Sequence, residues 1–151
     1  MPDKGSPASL IAFDFGNRRI GVAVGQTLTA SARELTTLQS VDGEPDWAEI
    51  DSIIDDWGPD LLLVGLPVND DGTESTQCEA ARDFAAALGE YGLPVQLIDE
   101  HLTSNEAARR LADDRRQGKR RRRVQKGDID ALSAVLIAEQ WLYQRDISRQ
   151  S

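Results

Sequence analysis

The sequence contains very little cysteine, histidine or aromatic residue. Its 151 residues include one cysteine (Cys78) and one histidine (His101), and 5% are aromatic. A single cysteine excludes an intrachain disulfide, so the fold must rest on packing, and no oxidising compartment is indicated. No apolar run approaches the ~20 residues of a membrane span, and the first ten residues lack a signal-peptide pattern. We therefore expect a cytoplasmic protein without membrane association.

The composition is that of a globular protein, with 40% hydrophobic and 28% charged residues. The length predicts one domain over residues 1–151, with a core over about 9–143 and loose termini. The net charge of −9 is unevenly distributed, because ten of the 17 basic residues lie between Arg109 and Lys126. That segment contains only two acids, Asp113 and Asp114, and is a candidate for binding phosphates.

Hydrophobic periodicity predicts alternating strands and helices. Strands are expected at 9–16, 20–26, 33–39, 61–67 and 94–100, and helices at 45–57, 76–91, 103–117 and 128–144. The first two strands form a hairpin, and the later strand, helix, strand order is typical of a parallel sheet.

Acidic residues stand where carboxylates are costly to bury. Asp14 lies inside an apolar strand between Phe13 and Phe15, so it needs a cation, or it caps the following turn or pairs with Arg18 or Arg19.

Asp99 and Glu100 end a second strand. Their side chains alternate, so only one of them can share a site with Asp14, and either can also be a simple loop-facing acid. Parallel strands end at the same edge of a sheet, where such folds place their ligands.

Asp130 is the third acid, near the start of a helix that is apolar on almost every side. Ala134, Ile137 and Trp141 follow it on one face, whereas Asp128 fits the role of N-cap. Alternatively, Asp130 has no role in a site and is favoured in the first turn of the helix by its interaction with the helix dipole. Three converging carboxylates beside a basic segment suit two-metal phosphodiester chemistry with Mg²⁺ or Mn²⁺.

Four blocks then occur in order: DFGNRRIGVAVG, VGLPVNDDGTE, DEHLTSNEA and KGDIDALSA. Together they resemble the YqgF/RuvX family of Holliday-junction-resolvase-like proteins, also described as pre-16S rRNA nucleases, over about residues 9–143. The resemblance implies an α/β ribonuclease H-like fold, in which a mixed sheet of three antiparallel and two parallel strands has helices on both faces. It also implies that Asp14, Glu100 and Asp130 are the catalytic, metal-binding triad.

With the 61–67 strand between them, the strands of Asp14 and Glu100 are expected to lie ~10 Å apart. Gly65 would leave room for a nucleic-acid backbone. The family usually has Asp-Glu-Arg where this sequence has Asp-Glu-His, so His101 replaces a cation. The remaining site residues implied or predicted form two groups. A loop against which substrate lies would comprise Gly65, Pro67, Asn69, Asp71 and Gly72, and nucleic-acid binding would use Arg18, Arg19, His101, Lys119, Arg120, Arg121, Arg122, Arg123 and Lys126.

The predicted function is a metal-dependent endonuclease in 5′-end maturation of pre-16S rRNA, acting on precursor rRNA within or outside ribosome precursor particles. One alternative is a Holliday junction resolvase acting on branched DNA; another is a non-catalytic nucleic-acid-binding accessory factor. Length argues against an ATP-binding fold of the actin and sugar-kinase type, because such enzymes need two related lobes and this sequence supplies half of that. The sequence is compatible with a monomer or a homodimer.

Overall fold

The computed structural model describes residues 8–16, 18–42, 44–67, 78–100 and 126–150; within these ranges, the side chains of 67, 100, 126–129 and 146–150 are not described. The strands are β1 (Ser9–Asp14), β2 (Arg19–Gln26), β3 (Ser31–Val41), β4 (Glu44–Pro45), β5 (Leu61–Pro67) and β6 (Val95–Glu100). The helices are α1 (Trp47–Trp57), α2 (Cys78–Leu88) with a 3₁₀ turn at Gly89–Tyr91, and α3 (Lys126–Gln150).

The strands form one mixed sheet in the order β4-β3-β2-β1-β5-β6. The pairs β1/β2, β2/β3 and β3/β4 are antiparallel, whereas β5 is parallel to both β1 and β6. The predicted arrangement of three antiparallel and two parallel strands is therefore confirmed. The sixth strand is the two-residue β4, which is too short to give a periodic signal in the sequence.

The apolar side chains separate to the two faces of the sheet, as strand alternation requires. Ile11 and Phe13 of β1 pack in a core with residues of α1 and α2, including Ile50 and Phe84. Leu10 and Ala12 pack on the other face, in a cluster with Ile137, Ala138 and Leu142 of α3. Helices thus cover both faces, and α3 occupies the face opposite α1 and α2.

The ends of α1 follow from local chemistry. Asp46 is its N-cap, and the Asp46 carboxylate accepts a hydrogen bond of 3.2 Å from the Glu49 backbone N–H. At the other end, Gly58 adopts the left-handed conformation with φ 51°, and its N–H donates to the carbonyl of Ile54. The prediction that this helix begins at Pro45 was two residues early, because Pro45 belongs to β4.

The other predicted helices differ at their boundaries. Of the predicted 76–91 helix, residues 78–91 form α2 followed by the 3₁₀ turn, which is capped by Gly92 with φ 76°. The last helix begins at Lys126 and continues to Gln150, beyond the predicted 128–144. The predicted helix at 103–117 lies outside the described residues. Among the helices described, none has the length and hydropathy needed to cross a bilayer.

Candidate active site

Asp14 is the last residue of β1 and lies on the face of the sheet that α3 covers. Leu10 and Ala12, at alternate positions before it, pack against α3 residues, and alternation places Asp14 on the same face. The side chain is half-buried at the end of the strand. Asp14 therefore follows the buried apolar side chains of β1 and lies at the partly exposed end of that strand.

Gly21 brings the start of α3 onto the sheet beside Asp14. In the β1/β2 ladder Gly21 is the register partner of Asp14, and the Cα atoms of such partners are ~4.5–5.5 Å apart. A Cβ atom at Gly21 would lie 1.8 Å from the backbone oxygen of Asp130 and 2.8 Å from the backbone nitrogen of Ala131. The helix backbone thus occupies the space of the missing side chain, and Asp130 lies next to Asp14.

The rest of α3 runs across the sheet from β2 and β3 to β6. Ile137 and Ala138 pack over β1. Further along, the Trp141 indole donates a 3.0 Å hydrogen bond to the Gln96 side chain, and the Gln140 amide donates one of 3.2 Å to the Asp99 carbonyl. Together with the Gly21 contact, these hydrogen bonds fix the direction of the helix between Asp130 and Trp141. The position of Asp130 is therefore set by packing along that part of the helix.

Arg19 makes a direct ion pair with Asp130. Its Nε lies 2.6 Å from Oδ2 of Asp130, and the two side chains are 32% and 22% exposed. Arg19 is the first residue of β2, two positions before Gly21, so the strand places its guanidinium beside the helix start. The pairing of Asp14 with Arg18 or Arg19 was one interpretation of the sequence; the observed carboxylate partner of Arg19 is Asp130.

Glu100 ends β6 at the same edge of the sheet. β5 lies between β1 and β6, as expected, so two strand spacings separate the strands of Asp14 and Glu100. In the β5/β6 ladder Gly65 pairs with Ile98 and Pro67 pairs with Glu100. Ile98, one strand period before Glu100, packs in the cluster that includes α3 residues. The Glu100 side chain is not described.

The remaining predicted site residues fall into two groups. Gly65 is buried within β5, Pro67 ends that strand, and Arg18 is exposed beside Arg19. Lys126 is the first residue of α3, described only in its backbone. The others lie outside the described residues: Asn69, Asp71, Gly72, His101, Lys119, Arg120, Arg121, Arg122 and Arg123. In the described part of the chain, no three acidic, histidine or cysteine side chains are grouped as a metal site.

Two features of this site were missed in the sequence. One is the role of Gly21, for which the available signal is a glycine in the interior of an apolar strand, a common sign of close backbone approach. The other is the pairing of Arg19 with Asp130, which joins residues 111 positions apart. No local pattern carries that information.

A mixed sheet of this order, with helices on both faces and carboxylates at the strand ends, defines a protein of the ribonuclease H-like fold. Solved structures with the same fold include RuvC from Thermus thermophilus, at TM-score 0.55 and 17% identity over 91% of this chain and 96% of that one. RuvC of the same organism in complex with a Holliday junction substrate aligns at TM-score 0.56, also at 17% identity, over 92% and 96%.

The family is defined by sequence. The model of the RuvX family, described as Holliday junction resolvase, matches residues 8–144. A relative from Azotobacter vinelandii named "Putative pre-16S rRNA nuclease" is 49% identical over 92% of this chain and 96% of its own length. A relative of the same name from Photorhabdus laumondii is 48% identical over 91% and 96%. The chain belongs to the RuvX family, and the predicted resemblance is confirmed.

Proposed function

We propose that this protein is a metal-dependent endonuclease that hydrolyses phosphodiester bonds, with precursor 16S rRNA as its substrate. The observation that carries the proposal is the contact of the α3 backbone with Gly21. That contact brings Asp130 next to Asp14, which is 116 positions earlier in the chain, at the edge where β1, β5 and β6 all end. Ligands of open α/β sheets bind at the carboxyl ends of such strands.

The donor set fits a hard divalent cation. Asp14 and Asp130 supply carboxylate oxygens on one face of the sheet, and Glu100, at the end of β6, is proposed as the third ligand. Mg²⁺ and Mn²⁺ prefer such oxygen ligands, whereas zinc sites usually include histidine or cysteine. When bound, a pair of divalent ions neutralises charge on the scissile phosphate and activates the attacking water.

The protein's own contribution is positioning. Asp14 is held by the β1/β2 ladder, and Asp130 by the packing of α3 and by Arg19. Carboxylates held in place need no reorganisation when the substrate arrives, which is a main source of rate enhancement in such sites. Arg18 is exposed beside them, where its charge attracts a phosphate backbone.

The assignment to precursor rRNA rests on the names of the relatives that are nearly half identical to this chain over almost its full length. A second candidate substrate is a four-way DNA junction. The description of the matching family and the junction complex of a protein with the same fold favour it. Both substrates are phosphodiesters, so the same carboxylates would act on either.

The test is a cleavage assay on pre-16S rRNA and on a labelled four-way junction, with Mg²⁺, Mn²⁺ or EDTA. Wild type is compared with Asp14→Asn, which keeps the size of the side chain but removes its charge. Asp56→Asn is the matched control, because Asp56 is an exposed acid on α1, on the opposite face of the sheet.

We expect wild type and Asp56→Asn to cut one of the two substrates in Mg²⁺ or Mn²⁺ and not in EDTA. Asp14→Asn should lose at least ~100-fold in rate, because a metal ligand is removed from the reacting centre. Equal cutting by wild type and Asp14→Asn would refute the site. Tight binding without cleavage of either substrate would identify a non-catalytic accessory factor.

A further inference from the structure

The ion pair between Arg19 and Asp130 places a cation against a carboxylate that the proposed function assigns to a metal. Arg19 Nε donates to Oδ2 of Asp130 at 2.6 Å, and both partners of this charge-assisted hydrogen bond are ionised groups. The oxygen that accepts this bond belongs to a proposed metal ligand. Arg19 and a divalent ion would therefore compete for the same carboxylate.

We propose that Arg19 is a positioning residue that holds Asp130 in the metal-free enzyme and releases it to the metal. The inference rests on the proposed function. Without a cation, the neighbouring carboxylates of Asp14 and Asp130 would repel one another, and the guanidinium reduces that repulsion while keeping the Asp130 side chain in place. Once the carboxylate is taken by a divalent ion, the guanidinium is free to bind a phosphate oxygen.

The geometry allows this exchange at small energetic cost. Both side chains are partly exposed, at 32% and 22%, so water can solvate the guanidinium when the pair separates. Separating a solvent-accessible pair costs far less than breaking a buried one. The α3 backbone does not depend on the ion pair, because its contact with Gly21 and its apolar packing hold it on the sheet. Arg19 can therefore move while Asp130 stays.

Arg18 provides a matched control. It carries the same charge one position earlier and is exposed, whereas the hydrogen bond to the Asp130 carboxylate comes from Arg19. Replacing either arginine by glutamine removes one positive charge near the site, so both changes alter the long-range field similarly. Only Arg19→Gln removes the direct competitor for Oδ2.

The first experiment measures Mn²⁺ binding without nucleic acid, by electron paramagnetic resonance of the free ion. We expect Arg19→Gln to bind Mn²⁺ about fivefold more tightly than wild type, the effect of losing one partly exposed ion pair. Arg18→Gln should differ from wild type by less than about twofold. The same affinity for Arg19→Gln and Arg18→Gln would overturn the competition.

The second experiment follows the Arg19 side chain in the wild-type protein, by the ¹H–¹⁵N resonance of its Nε group during a Mg²⁺ titration. The resonance is assigned in the wild-type protein, by through-bond correlation with the backbone amide of Arg19. It should shift as Mg²⁺ saturates the site, and this result does not depend on whether any variant folds well. Mg²⁺ binding with an unchanged Arg19 resonance would refute the exchange and leave the nuclease proposal intact. Absence of any metal binding by wild type would refute both.

Discussion

Replacing Gly21 by alanine tests the contact on which the site depends. The added Cβ would lie 1.8 Å from the Asp130 oxygen and 2.2 Å from the Asp130 carbonyl carbon. Both are backbone atoms, so no side-chain rotation relieves the overlap, and α3 must retreat by more than about 1 Å. Ile137, Ala138 and the other core residues of α3 would lose part of their packing as the helix moves.

The expected loss of stability is about 3 kcal/mol, at the upper end of the range for overpacking. For a chain of this size it corresponds to a fall of roughly 10 °C in the unfolding midpoint. Cleavage should fall by about 100-fold at temperatures where the variant is folded, because a shift of ~1 Å in a catalytic group has that effect. Thermal unfolding followed by circular dichroism, and the cleavage assay, measure the two effects.

Two other glycines serve as controls. At Gly25, also in β2, a Cβ would lie 3.1 Å from Cδ1 of Leu10 and 3.3 Å from the backbone oxygen of Ser31, both much farther than the backbone atoms at Gly21. At Gly89 nothing lies within 4 Å. We expect Gly89→Ala to change stability by less than about 1 kcal/mol, and Gly25→Ala to fall between Gly89→Ala and Gly21→Ala. If Gly21→Ala melts and cleaves like Gly25→Ala, α3 does not rest on β2 as described.

Three further predictions concern the rest of the molecule. Burial is the main cause that raises the pKa of Tyr91, and its hydrogen bond to Asp51 raises the pKa further. Tyrosine in the unfolded chain has a pKa of about 10, so below that pH the protonated Tyr91 adds its full contribution to stability. This contribution is lost as the pH rises from about 10 toward the higher pKa of the folded state. Chemical denaturation at pH 8 and 10.5 should therefore show a smaller alkaline loss of stability for Tyr91→Phe than for wild type, and an equal loss would contradict the pKa shift. Phe84→Ala should lower the free energy of unfolding by about 3–5 kcal/mol, because Phe84 is buried against three other aromatic rings; a loss below 1 kcal/mol in urea denaturation would show that the cluster is not packed. Replacing Arg120, Arg121, Arg122 and Arg123 by glutamine should weaken nucleic-acid binding and reduce the slope of log K against log salt by up to about three; an unchanged slope would show that these arginines do not contact phosphates.

Local patterns were sufficient for most of the architecture. The apolar runs of β1 and β5 and the helical spacing of α1 each correspond to an observed element. These predictions succeeded because periods of two and 3.6 residues report directly on which side chains are buried. Boundaries were less accurate: Pro45 was placed in a helix and belongs to β4, because two paired residues leave no period to detect.

The residues of the candidate site were also only partly predictable from the sequence. The acids at positions 14, 100 and 130 could be picked out as candidates, because a carboxylate among apolar residues is costly to desolvate unless a cation or hydrogen bonds compensate. From the residues alone, the choice between Asp99 and Glu100 stayed open, and the resemblance to the RuvX family selected Glu100. The role of Glu100 as a metal ligand remains a prediction.

The sequence by itself determined the fold class, the family and the set of candidate acids, since each is carried by side-chain type and spacing along the chain. Tertiary structure alone decided that Asp130 reaches Asp14 through the contact of the α3 backbone with Gly21, and that Arg19 pairs with Asp130. The physical reason is distance along the chain. These contacts depend on how closely the backbone of α3 can approach β2, and that approach depends on the absence of a side chain at Gly21, more than a hundred residues away.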